Sequence, residues 1–505
     1  MHKKRKEDSH HLVCIEDALK NIPTERLDKD LKVAELKLLG FAAEHNLPFK
    51  IFEHLPQFIR SFQDTDVINS LQCSRTKATD LVNEKVGPYA QLKLASILKR
   101  SFFSVIIDET TDVSTSKCLV IIVRFYSREE SRVKDCFFGL IELTTSSAED
   151  IFKATVGIFH KFDIPLENII GFASDNASVM MGQFNGVKAK LKGVIPHVFT
   201  IGCLSHSIHL CASKACSHLP DSVENMTRNI YNYFSHSAKR QHDFKEFQQF
   251  VDAEPHKLLR PCQTRWLSLE AVSEAPKINI LLPTIMMFYK MILQFYMKKE
   301  IFYKINIKDI NPSNPHHFLK EDEIYLGAKV QIILNEARDL IPPQALRQFK
   351  TKCLSFYITL CNEIRSRIDF SDTTLSVIAD TLDMSKIFSE ERLSIRRLVS
   401  RFPNIVKDSD TIENLNLEWH LIDECKTDNP PADIESLIIL LRKQRNRLGQ
   451  AAFENLSKFL ETIVSLPHSS VAAEMYSKMG EKLSAVEAEL YDRQIRLWGI
   501  ESQEK

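Results

Sequence analysis

The apolar positions change their spacing along the chain, and this change predicts where helices give way to strands. From about residue 35 to residue 100 they recur every three or four positions, as in VAELKLLGFAAEHNLPF, which is typical of amphipathic helices. Short runs rich in β-branched and aromatic residues follow at 104–108, 118–126 and 136–143, separated by polar turns. The pattern predicts a helical N-terminal region over residues 1–100 and then a meander of three strands.

Helices and strands alternate in the following segment. AEDIFKATVGIFHKF has helical spacing, NIIGFASD is an apolar run that ends at Asp175, and a second helix leads into the strand-like HVFTIGC. The predicted order is β-β-β-α-β-α-β, which matches a ribonuclease-H-like (RNase H-like) core whose first strand lies parallel beside the fourth in a mixed sheet. We therefore predict an α/β fold with this core over residues 101–270.

The chain after Trp266 has helical spacing for about two hundred residues, interrupted by the polar stretches NPSNPHH and DECKTDNPPAD. Its length predicts a large all-α insertion over residues 271–432, after which helices of the core return over residues 433–478. The longest apolar stretch starts at Ile278 and contains Pro283, which favours a buried helix over a membrane span. We expect no membrane association.

Two aspartates stand at the ends of predicted strands. Asp108 closes SVIID and Asp175 closes NIIGFASD, so the predicted topology places both at the same end of neighbouring strands. Phosphoryl transfer by two metal ions needs converging carboxylates, because Mg²⁺ prefers oxygen ligands. The pair is a candidate metal site, although Asp is also common in the turns that end strands. Glu109 and Asp112 lie nearby as metal-site partners or turn residues, and we favour the turn.

Charge is balanced over the chain, which contains 66 Lys and Arg and 66 Asp and Glu. Nucleic-acid binding would therefore depend on local basic patches rather than on a global field. Spacings of four and five predict one helical face for the first of two patches, and a solvated helix face is the alternative for both. The patches are Arg392, Arg396, Arg397 and Arg401, and Arg442, Lys443, Arg445 and Arg447. The basic cluster at residues 3–6 is either a nuclear import signal or a solvated terminus, and we expect a nuclear protein.

Five strings occur in an order that resembles the hAT superfamily of transposases: SVIIDETTDVSTSKCLVIIVRF, GFASDNASVMMGQFNGV, CLSHSIHL, TRWLSL and LPHSSVAAE. The resemblance runs from about His11 to Glu474. It implies a catalytic metal triad of Asp108, Asp175 and Glu474, which would hold Mg²⁺ or Mn²⁺ in an active protein. It also implies double-stranded DNA as the partner.

The same resemblance marks His206, from a Cys-x-x-His motif, and the pair Arg265 and Trp266 as DNA contacts. Trp266 would stack on a base swung out of the duplex, Arg265 would clamp a phosphate, and His206 would donate a hydrogen bond. The ordinary alternatives are a core tryptophan and a surface salt bridge. Six Cys and His residues from Cys203 to His218 fall in one strand-helix stretch. Structural zinc sites draw on two separate ligand pairs, so we expect no structural zinc.

The family pattern stops after Glu474. Residues 479–505 contain LYDRQIRLWG and resemble the amino end of the smaller subunit of the SUMO-activating enzyme. No GxGxxG motif occurs among the thirteen glycines, so adenylation chemistry is not expected. Relative to the family, the chain shows no upstream zinc finger and no C-terminal dimerisation segment. Any homo-oligomer is therefore expected to be weakened.

Three functions are compatible with these features. The favoured interpretation is a domesticated or decayed hAT transposase-like protein that acts as a nuclear DNA-binding or protein-interaction module. The first alternative is an active metal-dependent transposase that cuts DNA and transfers strands. The second alternative is a fragment of a SUMO-activating enzyme subunit, which rests on the tail alone.

The tail from Gly480 to Lys505 is expected to add nothing integral to the transposase-like core. Its apolar residues suit a nucleotide-binding domain that the chain does not encode, and they are Leu490, Ile495, Leu497 and Trp498. Deleting residues 480–505 should therefore shift the melting temperature of the purified protein little, as measured by differential scanning fluorimetry. A loss as large as that from removing a core helix would mean that the tail packs in the fold.

Overall fold

The computed structural model of the protein describes residues 26–44, 51–52, 54–60, 73–111, 117–219, 229–250, 277–336, 340–470 and 472–473. The chain divides into two compact units. The sheet unit comprises residues 1–202, 274–276 and 399–505, and the helical unit comprises residues 203–273 and 277–398. The tail from Gly480 to Lys505 lies outside the described residues.

The sheet unit is built on five strands: β1 Phe103–Thr111, β2 Lys117–Ser127, β3 Arg132–Leu143, β4 Ile169–Ser174 and β5 Phe199–Gly202. Their order across the sheet is β3-β2-β1-β4-β5. β1 runs antiparallel to β2 and parallel to β4, and β4 runs parallel to β5. The sheet is therefore mixed, and the predicted pairing of the first strand with the fourth is confirmed.

The helices that precede or connect these strands are α1 Arg26–Glu44, α2 Leu55–Arg60, α3 Arg75–Leu81, α4 Gly87–Leu98, α5 Ala148–Lys161, α6 Ser178–Met181 and α7 Val187–Val194. A π-helical turn at Val82–Val86 joins α3 to α4, so the N-terminal region is helical where it is described. α5 begins where the Ser147 side chain accepts a hydrogen bond from the Asp150 N–H at 3.1 Å. It ends at His160 and Lys161, which suit the negative end of the helix dipole.

One face of the sheet is covered by α4, α5 and α7. Alternate residues of β1, including Phe103 and Ile107, point into this layer because successive side chains of a strand face opposite sides. The ring of Phe159 in α5 stacks on that of Phe138 in β3, with centroids 5.4 Å apart. This aromatic packing fixes α5 against the sheet.

The helical unit contains α8 Leu204–Cys216, α9 Ala238–Phe250, α10 Ile278–Gln294, α11 Ile301–Lys304, α12 Ala328–Glu336, α13 Pro343–Arg367 and α14 Thr373–Thr381, and residues 229–235 are also helical. α8 packs along α13, where Lys214 Nζ lies 2.5 Å from Glu363 Oε1. α10 packs against α13 and α14 and buries much of its apolar surface, although Pro283 lies inside it. The apolar stretch from Ile278 is therefore a buried helix. None of the described helices is both long and apolar enough to span a membrane.

The chain then returns to the sheet unit. α15 Arg396–Arg401 lies across the boundary between the units, and α16 Ser409–His420, α17 Ile434–Lys443 and α18 Glu454–Ile463 belong to the sheet unit. Short 3-10 turns occur at Leu166–Asn168, Ile307–Asp309, Pro315–His317, Glu321–Glu323 and Leu421–Cys425. α17 packs against α18, and α18 contacts β2 on the face of the sheet opposite to α5.

Charged groups between the returning helices and the sheet are paired. Arg124 of β2 is only 2% exposed, and its Nη1 donates to Asp135 Oδ2 at 2.7 Å. Glu461 of α18 accepts a hydrogen bond from Arg128 Nε at 2.8 Å. The first pair joins β2 to β3 within the sheet. Because a buried charge without a partner is costly, the contact of Arg128 with the buried Glu461 restricts which surface of α18 can face the sheet.

The two units divide the chain at points that differ from the predicted insertion limits of 271 and 432. The helical unit starts at Cys203, since α8 packs along α13. It ends at Leu398, since α16 packs against α18 and belongs with the sheet. Apolar spacing predicts that a segment is helical but does not say which element it packs against.

Glu418 of α16 caps the start of α18. Glu418 is 9% exposed, and its carboxylate accepts hydrogen bonds from Leu456 N and from Asn455 Nδ2, both at 2.7 Å. It thereby satisfies an N–H group that has no partner within the helix. Glu418→Gln should lower the free energy of unfolding by about 1–3 kcal/mol, measured by urea denaturation of the full chain.

The matched control is Glu413→Gln on the exposed side of α16, which should change the free energy of unfolding by less than about 0.5 kcal/mol. Equal losses in the two variants would contradict a specific capping role for Glu418.

Candidate active site

Asp108 and Asp175 lie at the same end of the central parallel strands. Asp108 belongs to β1, and Asp175 directly follows β4. Ile106 of β1 is the register partner of Ala173 of β4, and each aspartate lies two residues further along its own strand. Neighbouring strands are about 4.8 Å apart, so the backbone brings the two aspartates close together.

The register also places both aspartates on one face of the sheet. Ile106 and Ala173 cluster with Ala473, which follows α18. Side chains two residues apart in a strand share a face, so Asp108 lies on the face of Ile106 and Asp175 continues the face of Ala173. This is the face that α18 covers.

The setting of the two aspartates suits a hard cation. Both side chains are half-buried, and Asp175 Oδ1 accepts a hydrogen bond from the Ala177 N–H at 3.2 Å. That bond holds the Asp175 side chain in the turn after β4. Carboxylate oxygens are the ligands that Mg²⁺ and Mn²⁺ prefer. The residue types at this edge therefore fit the metal that the sequence predicts.

Glu109 is part of a strand, so its predicted place in a turn is wrong. β1 continues through Thr111 because its last residues pair with the start of β2, up to Thr111 opposite Lys117. Glu109 faces away from Asp108 and accepts hydrogen bonds from Lys117 Nζ at 3.2 Å and from the Ser146 hydroxyl. It is engaged on the other side of the sheet, and Asp112 lies outside the described residues.

Four residues hold the chain that follows α18 against the β1–β4 pair. We call them the clamp, and they are Ser104, Gly171, Ser465 and Pro467. Ser104 Oγ of β1 donates to the Ser465 carbonyl at 2.7 Å in a buried contact. Gly171 of β4 lies so close to Pro467 that a Cβ at residue 171 would stand 2.5 Å from Pro467 Cδ. None of the four was among the predicted site residues, because no local spacing signals a contact between positions so far apart in sequence.

Beyond the clamp, the chain approaches the aspartates. Ser104 and Gly171 precede Ile106 and Ala173 along their strands, and Ala473 packs on the latter two. The chain from the clamp to Ala473 therefore leads along the β1–β4 pair towards Asp108 and Asp175. We call the end of the sheet that carries these two aspartates the acidic edge. Glu474 is the next residue, and it lies outside the described residues.

The first basic patch does not form the single helical face that its spacing predicts. Only Arg396, Arg397 and Arg401 belong to α15, whereas Arg392 precedes the helix and its Nη1 donates to the Ile387 carbonyl at 2.7 Å. The helix starts late because the chain turns to bury Ile395. Two guanidinium groups at the start of α15, those of Arg396 and Arg397, are exposed.

The second basic patch lies away from the acidic edge. Arg442 Nε is 3.7 Å from Glu461 Oε1, so its charge is partly compensated, whereas Lys443 and Arg445 are exposed. Burial raises the pKa of nearby Tyr126, Glu461 raises it further and Arg442 opposes both. Tyr126 lies six residues along β2 from the register partner of Asp108, which is roughly 20 Å.

The other residues predicted to contact DNA are His206, Arg265 and Trp266. Arg265 and Trp266 lie outside the described residues. His206 is half-buried in α8 of the helical unit, and Cys203 at the start of that helix is buried. Burial also raises the pKa of the Cys211 thiol to about 11.

Other ligand-type side chains do converge on α9. His242, Asp243 and Glu246 are the one group of three such residues that the described ranges bring within 4.8 Å. All three are exposed on a single helix. Exposed i and i+4 pairs of this kind are ordinary ion pairs, so this group carries no argument for function.

Comparison with known proteins agrees with this geometry. A family model described as ZMYM1/FAM200, RNase-like domain (DUF4371) matches residues 61–186. Residues 61–186 are therefore similar to an RNase-like domain. They include β1 to β4 and both aspartates.

A relative in Bos taurus, the general transcription factor II-I repeat domain-containing protein 2, is 26% identical over 178 residues. The matched region covers 34% of this chain and 18% of that protein. The chain thus spans less than a fifth of the length of this relative.

Gly171 permits the close approach of Pro467, and this contact can be tested directly. Gly171→Ala should lower the free energy of unfolding by about 1–3 kcal/mol, because the added methyl group overlaps a proline ring that cannot rotate away. The control is Gly157→Ala in α5, where a Cβ would meet nothing within 4 Å. That change should raise stability by about 0.5–1 kcal/mol. Urea denaturation measures both, and a stabilised Gly171→Ala would show that the clamp is loose.

Proposed function

We propose that this chain is a transposase-derived nuclear DNA-binding protein of the hAT type whose RNase H-like core retains a divalent metal site. The single observation that carries the proposal is the register of β1 and β4, which sets Asp108 and Asp175 side by side at one edge. Two acids at adjacent parallel strand ends are what metal-dependent phosphoryl transfer needs.

The strand arrangement supports the RNase H-like assignment. β1 lies between the antiparallel β2 and the parallel β4, and helices cover both faces. The family match gives an RNase-like domain over the same strands. The large helical segment between β5 and the returning helices corresponds to the proposed insertion.

Glu474 is the proposed third metal ligand. Ala473 packs on the same face as Asp108, and the clamp at Ser104 and Gly171 directs the segment along the β1–β4 pair. Glu474 directly follows Ala473 in the sequence. The three carboxylates would hold Mg²⁺ or Mn²⁺, and the metal would polarise a phosphodiester and lower the pKa of bound water.

DNA is the proposed partner. The exposed guanidinium groups of Arg396 and Arg397 and the exposed Lys443 and Arg445 would contact phosphates, and His206, with Arg265 and Trp266, would act nearer the bases. The basic cluster at residues 3–6 and the name of the Bos taurus relative, a transcription-factor repeat protein, support a nuclear location.

An active transposase is the second candidate, and the presence of all three acids in the sequence favours it. The two candidate functions predict different results in a DNA-cleavage experiment. An active enzyme would nick supercoiled DNA in Mn²⁺ and lose that activity in Asp108→Asn. A domesticated protein would bind DNA and metal without cutting.

Metal binding tests the proposed site. Isothermal titration of the full chain with Mn²⁺ should give an affinity that falls at least about tenfold in Asp108→Asn, Asp175→Asn and Glu474→Gln. Glu109→Gln is the matched control, because Glu109 is adjacent in sequence but lies on the opposite face of β1. Unchanged Mn²⁺ affinity in the two aspartate variants would refute the metal site, and an unchanged Glu474→Gln would remove only the third ligand.

A further inference from the structure

A single aromatic ring projects from the loop that follows Asp175. Phe184 lies between α6 and α7 and is 89% exposed, the highest exposure among the large apolar side chains described. Its neighbours Gln183 and Asn185 are polar and exposed. A single ring between two polar, exposed residues does not by itself form the extended apolar patch that a protein partner requires.

The loop that carries Phe184 is anchored at both ends. The Gly182 N–H donates to the Ser178 carbonyl at 2.9 Å, and the Gly186 carbonyl accepts from the Lys190 N–H at 3.1 Å. A Cβ on Gly186 would stand 2.5 Å from Gly182 N, so the two glycines bring the loop ends into contact. The ring is therefore presented by a short closed loop.

The loop lies at the acidic edge of the sheet. β4 delivers the chain to Asp175, and α6 follows within three residues. Val187 and Leu191 of α7 pack back into the core against the sheet, so the turn between α6 and α7 stays at the end of β4.

The charge of this segment suits a polyanion. Residues 176–220 contain no Asp or Glu, while α7 carries Lys188, Lys190 and Lys192. Lys190 Nζ lies 2.5 Å from Glu149 Oε2, and Lys192 is exposed. A phosphate backbone passing this segment would meet the positive charge of α7.

We propose that Phe184 stacks on an unpaired base of a DNA strand whose backbone passes the acidic edge, with Lys192 contacting a neighbouring phosphate. This inference rests on the proposed function, since it takes DNA as the substrate. Base stacking on an aromatic ring tolerates any sequence and favours unpaired over paired bases. The loop would thus select DNA that is opened or frayed next to the metal site.

Fluorescence anisotropy with the full chain tests the inference. The probes are a duplex with a three-nucleotide single-stranded overhang, the same duplex with blunt ends, and an RNA version of the overhang probe. Phe184→Ala should weaken binding of the DNA overhang probe by roughly 5- to 150-fold and leave the blunt duplex unchanged. Phe184→Trp should retain affinity, because it keeps a stacking face.

Tyr303→Ala is the matched control, because Tyr303 in the helical unit is 88% exposed and should not affect either probe. A 2-aminopurine base in the overhang gives a second readout, since stacking on Phe184 should quench its fluorescence and Phe184→Ala should restore it.

Several outcomes overturn the inference. Wild-type affinity in Phe184→Ala, an equal loss on the blunt duplex, or stronger binding of the RNA probe would each exclude selection of unpaired DNA bases. The Mn²⁺ titrations separate the two proposals. If Asp108→Asn abolishes Mn²⁺ binding while Phe184→Ala leaves overhang affinity unchanged, only the stacking inference fails. If the wild-type chain binds no DNA probe, both proposals fail.

Discussion

The parallel pairing of β1 with β4 is the constraint on which the rest of the sheet unit depends. These strands lie at the centre of the sheet and are covered on both faces, so their side chains are apolar or, like the Ser104 hydroxyl, have a hydrogen-bond partner while the pairing lasts. Charged groups can emerge only where the pairing stops. Asp108 and Asp175 occupy these positions. The end of the β1–β4 pairing therefore also determines where carboxylates can come together.

The strand order was predictable because it depends on local patterns. All six residues of β4 are buried, and such a continuous apolar run is recognisable in a sequence without further information. The end of β1 was not predictable in the same way. Thr110 and Thr111 look like turn residues after Asp108, but pairing with β2 keeps them in the strand. The polarity of Glu109 reflects its own partners, Lys117 and Ser146, rather than a turn.

Contacts between residues that are far apart in the sequence could not be predicted for a different reason. The sequence around Ser104 and Gly171 does not indicate that Ser465 and Pro467 pack on them. The late start of α15 likewise depends on burial of Ile395, which tertiary packing decides. The candidate site was thus predictable as two aspartates on neighbouring strands, while the contacts that hold Ser465 and Pro467 on those strands were visible only in three dimensions.

The clamp has a consequence for how the protein comes to be folded. Ser104 and Ser465 are 361 residues apart, so their contact closes one of the longest loops in the chain. A chain made from its amino end exposes β1 and β4 long before residues 465–473 leave the ribosome. The two strands that carry the aspartates are therefore made early, while the segment that packs beside them is made much later. A chain that has been made only as far as the helical unit would leave this face of the β1–β4 pair exposed to solvent, because the residues that cover it have not yet been added.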